Sequence, residues 1–359
     1  MTGNLCYNSY VYKLGEVKSV NAMTNIVAND ALKARLVGDI VNSKLAHAYI
    51  IEGGAGTGRR LLAKDIAAAM SCERKNDSLP CFACENCRKI MSEISPDVYY
   101  VGKTPGKASI GVDSVRDAII ANLPTVPNDL DYKFFIIEDA DDMTVQAQNA
   151  LLLTLEEPPE YVVIFLICER AESLLETVRS RAPVIRTEKI PPDVMENYLL
   201  SSEKSDAAKN LKVFSPDEFQ ELILAADGSI GAALDLLDEE KRKPVIENRN
   251  VAKNLVDALV GESGKAAVFT ASSKLNQKSR EVTLIQLELV KSALRDLILL
   301  KKSDGATLCF YYDRRYAVEL SDKKSLPALV KLYDKIEDMI SSLNKNINAK
   351  LTLSTLLFE

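Results

Sequence analysis

Four cysteines, Cys72, Cys81, Cys84 and Cys87, follow one another as C-x8-C-x2-C-x2-C. Thiolates spaced in this way can close tetrahedrally around Zn2+, and four of them leave no position for water, so the chemistry would be structural. Zinc would tether a segment too short to bury a core of its own. The other reading, four unrelated reduced thiols, leaves the two short spacings unexplained. Cys6, Cys168 and Cys309 stand alone and read as packing residues. The single histidine, His47, lies just before an apolar run, where packing is a better account than metal binding or catalysis.

A second pattern is Gly53-Gly54-Ala55-Gly56-Thr57-Gly58-Arg59-Arg60, with Gly53, Gly56 and Gly58 at the spacing of a phosphate cradle, G-x-x-x-x-G-K-[ST]. In a working cradle the lysine reaches the outer phosphates and the following hydroxyl ligates magnesium. Arg59 and Arg60 occupy those positions. A guanidinium is planar and bulky and does not replace that lysine conservatively, and a second arginine cannot coordinate a cation. ATP hydrolysis at this loop is therefore not expected. Its backbone amides could still hold a phosphate or sulfate, and a ligand-free glycine turn is the alternative. The other half of such a site is an apolar strand ending in acids. Phe134 to Ile137 ends in Glu138-Asp139-Ala140-Asp141, so Glu138 and Asp139 form an acidic pair in swapped order. By themselves they fit a solvated turn; beside the glycine loop they indicate a nucleotide-binding ancestry that has drifted.

These residues need a scaffold, and the apolar pattern supplies one. Leu32, Leu36, Ile40 and Val41 recur at helical spacing from Asn29 onward, and Ala48 to Glu52 reads as a short buried strand before the glycines. Further strands are expected at Val98 to Val101, Phe134 to Ile137, Val162 to Ile167 and Val184 to Ile185. Strands alternating with helices imply an α/β fold, a mainly parallel sheet covered on both faces. After Pro191 and Pro192 the strand signal stops, and Asp193 is placed to cap a helix opening a small helical unit that ends near Glu240. Lys241, Arg242 and Lys243 before Pro244 read as a linker. Beyond it the pattern is helical. Val282, Leu284, Ile285, Leu287, Leu289, Val290, Leu294, Leu297 and Ile298 surround nearly a whole helix, which requires burial inside a bundle or against another subunit.

At 359 residues the chain is too long for one core. The expected divisions are an irregular segment 1–23, a sheet domain 24–190 carrying the cysteine insertion 72–87, a helical domain 191–243 and a second helical domain 244–359. A net charge of −6, from 45 Lys plus Arg against 51 Asp plus Glu, argues against binding nucleic acid by a basic surface alone. The first twenty residues have no signal-peptide or transit-peptide pattern, and no run reaches membrane-spanning length. A cytoplasmic location and no membrane partner are expected, in a reducing compartment where clustered thiols favour a metal over disulfides.

With these residues in view, the chain closely resembles the delta-prime family of the bacterial DNA polymerase III clamp loader, within the AAA+ proteins. The resemblance rests on Leu45-Ala46-His47-Ala48-Tyr49, the four-cysteine insertion, Asn149 to Pro159 with its Glu-Glu-Pro-Pro ending, and Thr177-Val178-Arg179-Ser180-Arg181. It runs from about Ile26 to the C-terminus, by architecture more than by motif in the last third. The resemblance implies an AAA+ P-loop domain with a zinc insertion, a helical lid and an all-α collar that joins other loader subunits. It also implies that Arg181, beside Ser180, reaches in trans into a neighbour's ATP site, although Ala182 replaces the family's cysteine. The sensor positions of the active subunits correspond to Cys168 and to Gly231 in Gly228-Ser229-Ile230-Gly231, both altered. The expectation is a non-hydrolysing stator that works with gamma/tau and delta subunits and, through the complex, with the sliding clamp and primed DNA. An active gamma/tau-type ATPase is the alternative; a free-standing zinc-bearing DNA-binding regulator fits poorly with the acidic composition.

Overall fold

A computed structural model describes residues 23–74, 79–201, 214–261, 264–276, 279–303 and 305–345. The expected irregular segment, Met23 excepted, and Cys6 lie outside the described residues. Met23 itself is fully buried. The chain divides into two compact units, one ending at Glu188 and the other running from Lys189, with Ala55–Thr57 grouped in the second.

The first unit holds the helix α1 (Asp30–Val41), strand β1 (Ala48–Glu52), α2 (Arg59–Met70), α3 (Glu85–Met91), β2 (Val98–Val101), α4 (Val112–Ala118), β3 (Lys133–Ile137), α5 (Val145–Glu156), β4 (Val162–Cys168), α6 (Glu176–Arg179) and β5 (Val184–Arg186). All five expected strands are present. They form one parallel sheet in the order β2-β3-β4-β1-β5. Alternation assigns their side chains to two cores. Tyr49, Ile51, Phe134, Ile136, Phe165 and Ile167 face a core with α1, α2 and α3, and Ala48, Ile50, Phe135, Ile137, Ile164 and Leu166 face a core with α4, α5 and α6. Both faces are apolar because helices cover both, as a parallel sheet requires. In α1, Leu36 and Ile40 are buried, but Val41 is 60% exposed; it is the last helical residue, beyond the reach of the core.

The glycine loop leaves the carboxyl end of β1, next to β4, the edge at which open α/β sheets bind ligands. From Leu62 onward every side chain of α2 is buried, including Lys64 and Asp65.

The second unit is helical: α7 (Pro192–Ser201), α8 (Pro216–Ala225), α9 (Ile230–Asp235), α10 (Glu239–Val260), α11 (Lys265–Ser273), α12 (Arg280–Leu300), α13 (Arg314–Asp322) and α14 (Leu326–Asn344). Two local readings change. α7 begins at Pro192, so Asp193 sits inside its first turn and does not cap it; proline at the first helical position needs no N–H partner there. Residues 241–243 are not a linker, since α10 runs through them and through Pro244. Its start is fixed by Asp238, whose carboxylate accepts from the Glu240 and Lys241 amides at 2.8 and 3.3 Å. Arg242 stacks over Phe214 at 4.5 Å and donates to the Leu236 and Leu237 carbonyls that end α9. The boundary expected at 243/244 thus falls within a continuous helix.

α12 packs against α10 and α14, with Leu287, Val290, Leu294 and Leu297 buried. Its apolar circumference is not wholly enclosed, because Ile285 is 46% exposed on the stripe it shares with Glu281 and Glu288. Buried Asp296 accepts from the Cys309, Phe310 and Tyr311 amides. That carboxylate folds the segment before α13 onto α12.

Candidate functional site

Gly56 and Gly58 have φ of +71° and +85°, a left-handed backbone that a side chain would strain. At Gly56 there is also no space. Within the second unit a Cβ there would lie 2.0 Å from Ser229 Oγ, and one at Gly231 would lie 3.6 Å from the Gly56 Cα. Ser229 is buried and caps α9 by accepting from the Ala232 amide at 3.0 Å. Gly228-Ser229-Ile230-Gly231 therefore forms a tight capped turn.

Arg59 and Arg60 open α2 and do different things. Arg59 places its buried Nη1 without a hydrogen-bond partner. Arg60 is engaged by three groups: its Nε meets Glu138 Oε1 at 2.7 Å, its Nη2 meets Glu93 Oε2 at 2.7 Å, and its guanidinium lies 4.9 Å from the centre of the Tyr100 ring. Lys64 Nζ closes the group by binding Glu93 Oε1 at 2.9 Å and the Met91 carbonyl at 2.7 Å. Lys64 foremost, with Arg60, holds the Glu93 carboxyl below its ordinary range. Burial pushes the Tyr100 hydroxyl up to about 12, with Glu93 adding to the effect. The cation at the magnesium-ligand position and the first acid after β3 are thus bound to each other.

The rest of the acidic turn divides in the same way. Asp139 has φ +50° and is exposed. Asp141, which spacing alone did not single out, accepts from the Glu169 amide at 2.6 Å and from Ser173 Oγ, and so ties the turn to the end of β4. Cys168 lies there in register with Glu52, its carbonyl accepting from the Gly53 amide at 3.3 Å. Burial pushes its thiol up to about 12, helped by Asp141 and Glu52. A neutral thiol therefore occupies the strand end beside the loop. His47 has a packing role, its Nε2 lying 3.0 Å from the Leu155 carbonyl.

Ser180 and Arg181 lie apart from this loop in the chain, just after α6. Arg181 Nη1 donates to the Thr177 carbonyl at 2.9 Å and to Ser180 Oγ at 3.2 Å, and Nη2 donates to Glu156, the last residue of α5. The Arg181 side chain is 33% exposed. Ala182, which follows Arg181, is buried in the core shared with α4, α5 and α6.

The four cysteines come together as expected. Their Sγ atoms all lie within 4.8 Å of one another. A zinc–sulfur bond of ~2.3 Å implies tetrahedral sulfur–sulfur distances of ~3.8 Å, so a small contraction would close the set. The Cys84 amide donates to Cys81 Sγ at 3.3 Å and the Cys87 amide to Cys84 Sγ at 3.4 Å, contacts that favour thiolates. At Cys81, desolvation works upward, but donors from Ala83, Cys84 and the neighbouring thiols outweigh it and bring the thiol down to about 6. Burial moves Cys72 and Cys87 the other way; a bound cation would oppose that shift. The donor set fits a metal ion such as zinc.

Comparison with known proteins agrees with the motifs. Residues 28–191, a little under half of the chain, match the family described as DNA polymerase III, delta subunit. The chain is 32% identical over 170 residues to DNA polymerase III subunit delta' of Bacillus subtilis, covering 47% of this chain and 50% of that protein. It is 36% identical over 136 residues to subunit delta' of Pseudomonas aeruginosa, covering 38% and 41%. Subunit tau of Bacillus subtilis matches at 30% over 215 residues, covering 60% of this chain and 37% of its own. The chain thus spans about half or less of the length of these relatives. With its glycine loop, cysteine insertion and Ser180-Arg181 pair all within the matched stretch, this chain is similar to the delta-prime and tau subunits of DNA polymerase III.

Proposed function

We propose that this chain is a non-hydrolysing stator subunit of a DNA polymerase III clamp loader. It would complete a ring of related ATPases with gamma/tau and delta subunits and present Arg181, set by Ser180, to the ATP site of a neighbour. The sliding clamp and primed DNA would be handled through that complex. In this reading the chain is not an enzyme by itself, its zinc is structural, its location is cytoplasmic, the helices after Pro192 serve as the lid, and α10 to α14 contribute to a collar. Among the described residues no helix is long and apolar enough to cross a membrane.

The observation that carries the reading is the Arg60–Glu138 pair. A hydrolytic site needs a hydroxyl and an acid turned toward a shared magnesium ion. Here a guanidinium stands in place of the hydroxyl and pairs with the acid itself. Cys168 and Gly231 at the sensor positions support the same reading. Arg181, by contrast, keeps its functional group in reach of solvent.

The tau match, longer in this chain at 215 residues than the two delta-prime matches at 170 and 136, favours a second reading, an active gamma/tau-type ATPase. Overall identity does not separate the two, and Arg59 and Arg60 in the loop favour the first. The purified chain is expected to show no magnesium-dependent ATP turnover, while a complex reconstituted with the Arg181→Ala variant should lose ATPase activity by about 10³-fold at the site that receives the finger. Steady turnover by the isolated chain would establish the second reading. Unchanged activity of the Arg181→Ala complex would remove the finger.

A further inference from the structure

Arg181 already has an anion, and that anion belongs to its own chain. Glu156 ends α5, whose opposite side is locked into the core through Ala147, Leu151 and Leu155. The paired prolines after Glu157 stop the helix there. The guanidinium is therefore held between two fixed elements: Glu156 on one side, and the Thr177 carbonyl and Ser180 hydroxyl of the α6 turn on the other. Among the described residues, no partner beyond these three binds it, so one edge of the fork remains open to a further acceptor. Val145, Asn149 and Leu153 are exposed on the same face of α5 as Glu156, Leu153 by 70%. The pair thus lies at the end of an exposed stripe that carries two apolar side chains, Val145 and Leu153.

We propose that Glu156 is the positioning residue of Arg181, a resident carboxylate that keeps the guanidinium extended beside α5 and yields it to a phosphate on an adjoining chain. This rests on the finger reading above. Both side chains of the pair are partly exposed, 33% and 46%, and such pairs hold weakly. A polyphosphate offers the same fork a more highly charged acceptor and displaces the carboxylate. Until it does, the carboxylate spares the arginine a search among rotamers, and it competes with the phosphate for the same N–H groups.

The two effects separate by substitution in the reconstituted complex. Glu156→Gln keeps an acceptor oxygen and removes the charge, so KM for ATP is expected to fall about threefold with kcat little changed. Glu156→Ala removes the anchor, and kcat is expected to fall about fivefold through loss of orientation. Arg181→Ala should lower kcat further, and the double variant should match Arg181→Ala alone, because Glu156 acts only through the arginine. Circular dichroism and retention in the complex confirm folding of each variant. If Arg181→Ala lowers kcat while both Glu156 variants leave KM and kcat at the wild-type values, Glu156 has no positioning role and the finger stands. If the double variant falls well below Arg181→Ala, Glu156 acts by another route and the proposal fails. If Arg181→Ala itself is silent, the finger reading falls and this inference with it.

Discussion

Arg60 bridges two carboxylates over a tyrosine ring, which a lysine or threonine at that place could not do. Its side chain is 47% exposed, so each pair contributes only ~0–1 kcal/mol and the ring contact ~0.5–1 kcal/mol. The Arg60→Ala variant is expected to lower folding stability by about 1 kcal/mol in urea denaturation. Arg60→Lys should recover only part of it, because an ammonium cannot fork between two acids and lie flat on a ring. An unchanged midpoint for Arg60→Ala would mean that the network contributes nothing to the fold. The consequence for ligands follows from the same geometry: Glu138 is already paired within the chain, so a divalent cation there would have to compete with the Arg60 guanidinium.

In α2 the helix that carries the arginines also buries Asp65, whose Oδ1 accepts from Asn25 at 3.1 Å and whose Oδ2 has no partner. Burial raises its carboxyl to about 7 from 3.8. The folded chain thus binds this proton more tightly than the unfolded chain. The group's stabilising contribution is complete below pH 3.8, declines as pH rises toward about 7, and is flat beyond. The Asp65→Asn variant, with no proton to lose, is expected to match the wild type near pH 4 and to exceed it by roughly 1–3 kcal/mol at pH 8. Parallel thermal melts across that range would check it; a constant difference between the two proteins would show that Asp65 does not titrate in the window. α10 makes a related point at the same scale. Pro244 gives up one helical hydrogen bond and crowds the preceding turn, yet the helix continues because its start is capped by Asp238 and tied down by Arg242.

The molecule as a whole is a doubly covered parallel sheet in one unit and a helical assembly in the other. The cysteine insertion belongs to the first, with Cys72, Cys84, Cys87 and Leu79 in its core. Zinc there would hold a segment to α2 and α3 that apolar burial alone holds in part. Purified protein is expected to carry about one zinc per chain by emission spectrometry. Cys84→Ser, whose hydroxyl can still cap α3, should release most of it and lower the melting of the first unit while leaving the second unchanged. Retention of a full equivalent in that variant would exclude this ligand set.

Sequence by itself determined what periodicity and spacing encode. The five strands, their parallel pairing, the glycine loop and the meeting of four cysteines all follow from local pattern, because strands buried on two faces and thiols two residues apart have few other arrangements. It did not determine partners. Glu93 with Arg60, Glu156 with Arg181 and Asp141 with the end of β4 are separated by 33, 25 and 28 residues. Nothing in the type of an acidic residue says which distant cation or amide it meets. The basic run before Pro244 misled for the same reason: whether Lys241 to Lys243 form a linker or a helix depends on Asp238, Phe214 and the carbonyls of α9 arriving at one place. Such contacts exist only once the chain has folded, since their strength depends on distances that no stretch of sequence contains.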